Sequence, residues 1–196
     1  IQFDGTSIFW GAQLNAAYEI NDMISLSAGA RMIFAKNTYK GHIKNILINP
    51  QHPVINPSGG LMPATDFFTA AGNAPYAALT SDQEVDAEQK GIGYTPIIGA
   101  NLTFGEKLNV GLKYEFRTKL ELENNTKKDL VQPQFEDGAK FRNDIPAILS
   151  VGFTYKVIPQ LRVSAGAHYY FDKDAKFEYF DSNGDMHEKE IDGNLY

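Results

Sequence analysis

The 196-residue chain has a net charge of −6, is 43% hydrophobic and 12% aromatic, and contains no cysteine. Disulfides, thiolate metal sites and cysteine nucleophiles are thereby excluded, and an acidic chain without a concentrated basic face is no nucleic-acid binder. No run of about 18 apolar residues occurs and the mean hydropathy is −0.32, so any membrane span must be built from strands.

Six segments alternate apolar and polar residues for ten positions or more, longer than typical globular strands and right for membrane ones. The first, Ile8 to Ile20, places Trp10, Ala12, Leu14, Ala16 and Tyr18 on one face and Gln13, Asn15 and Glu19 on the other. After Asn21-Asp22-Met23, the second sets Leu26, Ala28, Ala30, Met32 and Phe34 against Ser25, Ser27, Gly29 and Arg31. The third, Ile92 to Phe104, has Tyr94, Pro96, Ile98, Ala100 and Leu102 opposite Thr95, Gly99, Asn101 and Thr103. Past Gly105-Glu106-Lys107, the fourth carries Leu108, Val110, Leu112, Tyr114, Phe116, Leu120 and Leu122 opposite Lys113, Glu115, Arg117, Lys119 and Glu121. The fifth sets Leu149, Val151, Phe153 and Tyr155 against Ser150, Gly152, Thr154 and Lys156, and turns at Val157-Ile158-Pro159-Gln160. In the sixth, Leu161, Val163, Ala165, Ala167, Tyr169 and Phe171 oppose Arg162, Ser164, His168, Tyr170 and Asp172.

The apolar face of these segments is free of charge, and aromatics rim it. Trp10 and Tyr18 lie about 19 Å apart along the membrane normal, and Tyr94 and Phe104 about 23 Å, for strands rising roughly 3.3 Å per residue at a tilt near 45°. The expected fold is therefore all-β: a transmembrane antiparallel barrel with apolar residues outward and charged residues toward the lumen. Even-numbered residues should face outward in the first four strands and odd-numbered ones in the last two. Links after the first, third and fifth strands are short, which places them on the periplasmic side; the long ones, at about 39–90, 124–140 and from Lys173, are expected outside the cell. Within 39–90, Ala64 to Ala71 suits a short helix, and the capping box Ser81-Asp82-Gln83-Glu84 suits the opening of a second.

Six strands do not close a barrel. Ile1 is not an initiator, nothing before Trp10 reads as a signal peptide, and the residues before the aromatic Tyr196 are a polar loop; 1–196 is expected to be an interior piece of a larger barrel. Pro96 and Pro146 each remove a ladder donor, which suits either a bulge or a routine strand-start proline; the routine placement is the expectation.

Gly93-Tyr94-Thr95-Pro96, Gly99-Ala100-Asn101-Leu102, the run Glu106 to Arg117, Asn143-Asp144-Ile145-Pro146-Ala147 and Pro159-Gln160-Leu161-Arg162-Val163 together resemble the outer-membrane long-chain fatty-acid and hydrocarbon transporters of the FadL family. The resemblance implies a barrel of about fourteen strands, plugged by an N-terminal hatch, in the outer membrane of a Gram-negative bacterium. It implies hydrophobic ligands taken from outside and released sideways into the membrane.

Lumenal cations are the candidates for capturing a carboxylate: Arg31, Lys113, Arg117 and Arg162, with Lys36 near the outer end of the second strand. Lys36 resembles the family's ligand-side basic position, although its even parity points it outward. The bland alternative is that Lys113, Glu115, Arg117, Lys119 and Glu121 form a ladder that satisfies itself inside the barrel. Leu61, Met62, Phe67, Phe68, Tyr76 and Leu79 make the first long loop unusually apolar, as either a capture groove for a hydrophobic small molecule or the loop's own core. His168 beside Tyr170 reads as a hydrogen-bonding residue, and Asp181-Ser182-Asn183-Gly184-Asp185 as a hairpin tip rather than a calcium loop. No catalytic constellation, metal site or cofactor motif is expected. The alternatives to hydrophobic transport are a diffusion porin for polar solutes, a structural barrel subunit with envelope protein partners, and a soluble lipid-binding barrel, which the alternating link lengths oppose.

Overall fold

The computed structural model describes residues 1–128, 135–181, 185–189, 191 and 193. Its main strands are β1 (Gln2–Asn21), β2 (Ile24–Ile43), the two-residue β3 (Leu47–Ile48) and β4 (Met62–Pro63), β5 (Gln83–Phe104) and β6 (Leu108–Glu115). There follow β7 (Glu121–Lys128), β8 (Lys140–Arg142), β9 (Ala147–Ile158), β10 (Leu161–Phe171), β11 (Glu178–Phe180) and β12 (Met186–Glu188); α1 (Ala64–Ala70) and α2 (Ala74–Leu79) lie between β4 and β5. The strands β1-β2-β5-β6-β9-β10 form one antiparallel meander in chain order, with β7 continuing alongside β5 and β8 paired to β7. The sheet is open, with β1 and β10 at its edges.

Chemistry at the short links explains the register. The Asn21 carboxamide oxygen accepts from the amides of Met23 and Ile24, closing the β1–β2 turn, and Gly105 takes the left-handed φ of 57° that the β5–β6 turn requires. Across the sheet, Tyr18, Leu26, Ala100, Leu112, Val151 and Ala167 then fall on one hydrogen-bonded row. Large apolar residues of this outer face are exposed, Leu14 by 83% and Trp10 by 70%, as an outward parity in a bilayer demands. The apolar run centres on Leu14 in β1 but on Leu112 in β6, whose row meets β1 at Tyr18. That slide of four residues is the stagger of strands tilted to a barrel axis.

Three sequence expectations need correction. Strands occupy both ends of the supposed 39–90 loop, which shrinks to 44–82. The Ser81–Glu84 capping box opens no helix: Val85 and Ala87 are buried while Glu84, Asp86 and Glu88 alternate with them, and this period of two pairs Gln83–Lys90 with Lys36–Ile43. The Asp82 carboxylate accepts instead from the Asn45 amide at 2.8 Å. The second helix lies earlier, capped by Asn73 with Pro75 in its first turn.

Leu120 and Leu122 are the second correction, because both are fully buried on the inner face while Glu121 and Glu123 face outward. Between the pairs Ile97↔Glu115 and Lys90↔Glu123, seven steps along β5 oppose eight along its partner, so one residue is bulged out and the parity flips. Pro96 is the third. It sits inside β5, opposite Ala30, and its carbonyl accepts from Phe116 where the bulge begins, whereas Pro146 directly precedes β9 as expected. Of the expected hairpin tip Asp181–Asp185, residues 182–184 lie outside the described residues, as does Tyr196; Phe180 pairs with Met186.

Substituting Arg for Leu112, at the centre of its apolar run, should cost about 2 to 4 kcal/mol in lipid. Thr38→Arg, on the same face but beyond the apolar run, should change stability by no more than about 0.5 kcal/mol. Equal effects on urea unfolding in vesicles would contradict the assigned membrane band.

Candidate functional site

Beyond Phe34, Ile92 and Phe116 the two faces of the sheet exchange polarity. Outside, Lys36 pairs with Glu88 at 2.7 Å, Lys90 also engages Glu88, Lys40 lies 3.9 Å from Asp86, and Lys128 meets Glu84 at 2.9 Å. Hydrogen bonds from Lys36 and then Lys90 hold the Glu88 carboxyl down at about 2. Inside, the odd positions turn apolar: Ile33 and Ala35 in β2, and Val85 and Ala87 in β5, are buried. Val85 and Ala87 pack with Phe135 and Tyr39, while Ala35 packs with Leu120, Leu122 and Phe141.

The bulge supplies part of this inner wall. A Cβ on Gly91 would stand 2.3 Å from the Glu121 carbonyl oxygen, and one on Gly93 would stand 2.4 Å from Thr118 Cγ2. Only glycine lets the bulged segment lean this closely onto β5. The hydroxyls of Thr95 and Thr118 hydrogen-bond across the contact. Asp144, buried, fastens the segment: its carboxylate accepts from the Leu120 amide at 3.1 Å, the Lys176 amide at 3.3 Å and the Arg142 guanidinium at 2.5 and 3.0 Å, with Arg117 Nε at 3.8 Å. Arg142 in turn donates its backbone amide to Glu178 Oε2 at 2.7 Å, which brings β11 over the same region.

These elements enclose a cavity of about 350 Å³ on the inner face. Its rings are Phe3, Tyr39, Phe135, Phe141, Tyr179 and Phe180, and its polar groups come from Asn37, Gln89, Asn143 and Glu178. Phe3 stacks on Tyr39 at 6.2 Å between centroids, and Tyr39 meets Phe135 at 5.4 Å. A larger hollow of about 840 Å³ lies on the opposite face among Tyr18, Leu26, Ala28, Ile98, Leu112 and Leu149. Those residues belong to the lipid-facing band, so the smaller cavity is the candidate site.

The residues expected from sequence are dispersed over four places. Arg31 and Lys113 converge in the lumen on one carboxylate, that of Glu115, at 2.7 and 2.6 Å, and Arg31 also donates to Gln13. Arg117 serves Asp144 and the Asp174 carbonyl instead. The supposed lumenal ladder therefore ends at Glu115, because Lys119 and Glu121 are turned outward by the bulge. Lys36 faces outward onto Glu88, in keeping with its parity. In the 44–82 link, Phe67 packs edge-on against Phe68 and His52, and Phe68 against Tyr76, while Leu61 and Leu79 are exposed and Met62 lies in β4. His168 shares a hydrogen bond with Ser150 at 2.9 Å. The aromatic cavity went unforeseen; the sequence marks only the change of face, with Ile33, Ala35 and Tyr39 at odd positions of β2 and Lys36 and Lys40 at even ones.

No family model and no curated protein matches the chain. Among solved structures it is similar to the toluene transporter TbuX of Ralstonia pickettii, with a TM-score of 0.53 and 14% identity over 95% of this chain and 48% of that one. The chain shares the β-barrel fold of that structure. It is also similar to the CymD monoaromatic hydrocarbon channel, with a TM-score of 0.48 and 16% identity over 97% of this chain and 53% of the other. The chain spans about half the length of each.

Two outcomes follow. Asp144→Ala strands a partly exposed guanidinium and two amides, and should cost about 1 to 3 kcal/mol for each buried group left unpaired, with hydrogen exchange at the Leu120 and Lys176 amides accelerating; unchanged exchange would show that the carboxylate is not the fastener. For Glu88 the folded value lies below the ordinary carboxylate value of 4.5, so its contribution is present above that value and is lost as pH falls through about 2. Replacing it with Gln should flatten the acid limb of the stability curve between those limits, as read by urea midpoints.

Proposed function

We propose that the chain forms part of the wall of an outer-membrane transporter for hydrophobic small molecules in a Gram-negative bacterium, with the aromatic cavity as a resting site on the path. The supporting observation is the reversal of polarity: apolar rings line the inside of the sheet above the membrane, where a channel for polar solutes would keep charge. TbuX, whose fold the chain shares, is a toluene transporter, and a cavity of about 350 Å³ suits one ring better than an extended acyl chain. A long-chain fatty acid remains the second reading. Its carboxylate would be received by Arg31 and Lys113, which at present share Glu115, while Phe67 and Phe68 would supply first contact outside the cell.

Phe3 and Tyr179 are exposed by 56% and 52% at the cavity rim, so they can be changed without opening the core. In the complete protein held in detergent micelles, Phe3→Ser with Tyr179→Ser should weaken toluene binding about tenfold, given roughly 1.5 to 3 kcal/mol for a fully covered ring. Calorimetry would read the affinity, and the heat-dependent gel shift would report an intact barrel. Unaltered toluene affinity would reject the cavity as the resting site. Tighter binding of palmitate than of toluene, lost in Arg31→Gln, would favour the second reading.

A further inference from the structure

Four polar residues interrupt the apolar walls of the cavity, and Gln89 is one of the two that are buried. Gln89 is only 5% exposed and lines the cavity beside Asn37. Ser7 donates to Asn37 Oδ1 at 2.7 Å, and Asn37 Nδ2 donates to Gln89 Oε1 at 3.2 Å. With Ser7 donating, Asn37 engages the Gln89 oxygen, and Gln89 Nε2 has no hydrogen-bond partner among the described residues. An amide donor that opens onto the cavity without a protein partner is met by whatever occupies the cavity. An acceptor atom on a ligand can do this in place of water.

Resting on the function proposed above, we infer that the cavity selects aromatic molecules bearing an acceptor oxygen, such as an aryl ketone, over the corresponding hydrocarbons, with Gln89 Nε2 as the donor. The six rings around the cavity receive the aromatic body, and the amide relay from Ser7 leaves the Gln89 amino group to meet the substituent. A hydrocarbon entering the site leaves that donor unpaired. A ligand carrying a carbonyl oxygen satisfies it.

Acetophenone and isopropylbenzene have nearly the same shape and differ in that oxygen. Their affinities for the complete protein in one detergent are compared by calorimetry with those for Gln89→Leu, which cancels the different partitioning of the two ligands into micelles. Acetophenone should bind the variant about tenfold more weakly than the unsubstituted protein, with isopropylbenzene unchanged. An equal loss for both ligands would assign Gln89 a merely structural role, and no loss for either would show that the donor is not used; each overturns the inference. Should Gln89→Leu fail to assemble, Gln89→Asn, which draws the donor back by one methylene, is held to the same comparison. If isopropylbenzene binds and Gln89 makes no difference, only the selectivity falls. If neither molecule binds the unsubstituted protein, the proposed resting site falls with it.

Discussion

The long strands change solvent part-way along their length. Below Phe34 and Ile92, hydrocarbon surrounds the outer face, and apolar residues must point outward; above, that face meets water, and apolar side chains are better placed inside. Yet β2 and β5 are continuous strands of 20 and 22 residues, because every backbone donor in the bilayer needs its ladder partner. The backbone runs on while the chemistry of its faces is exchanged.

Two devices make the exchange. In β2 and β5 the pleat is kept and the sequence changes on both parities together, so that Lys36 and Lys90 replace apolar residues outside while Ile33, Ala35, Val85 and Ala87 appear inside. From β6 to β7 the sequence alternates almost unchanged and the backbone shifts instead. One bulged residue turns Leu120 and Leu122 inward, the glycines at 91 and 93 make room for the displaced segment, and Asp144 holds it. Burying a carboxylate is costly unless its oxygens are satisfied, and two backbone amides with the Arg142 guanidinium meet that condition.

The aromatic cavity is a product of this exchange. Its rings come from β1, β2, β8, β11 and the segment before β8, and they face inward because the outside has become charged. The lumenal cations lie lower, matched to Glu115, so the inner wall runs from a ring-lined upper part to a charged and glycine-rich lower one, where Gly111, Gly152 and Gly166 adjoin along one row.

Within the membrane band the sequence by itself determined nearly everything: six strands, their order, the turns at Asn21 and Gly105, and the outward parity of Leu14, Leu112 and Val163. A strand in lipid obeys one rule along its whole length, so a period of two suffices to read it. Outside the band that rule reverses. Leu120 and Leu122 continue the even-numbered alternation of Leu112 and Phe116 past Thr118, and the period of two does not mark the single extra residue that puts them on the other face. That residue is tolerated because Gly91, Gly93, Pro96 and Asp144, distant in sequence, accept it, and only tertiary pairing brings these together. For the same reason tertiary structure alone decided the site: rings at 3, 39, 135, 141, 179 and 180 have no common period, and they share a cavity because β11 and the segment before β8 come to the inner face of the sheet beside Phe3, Tyr39 and Phe141.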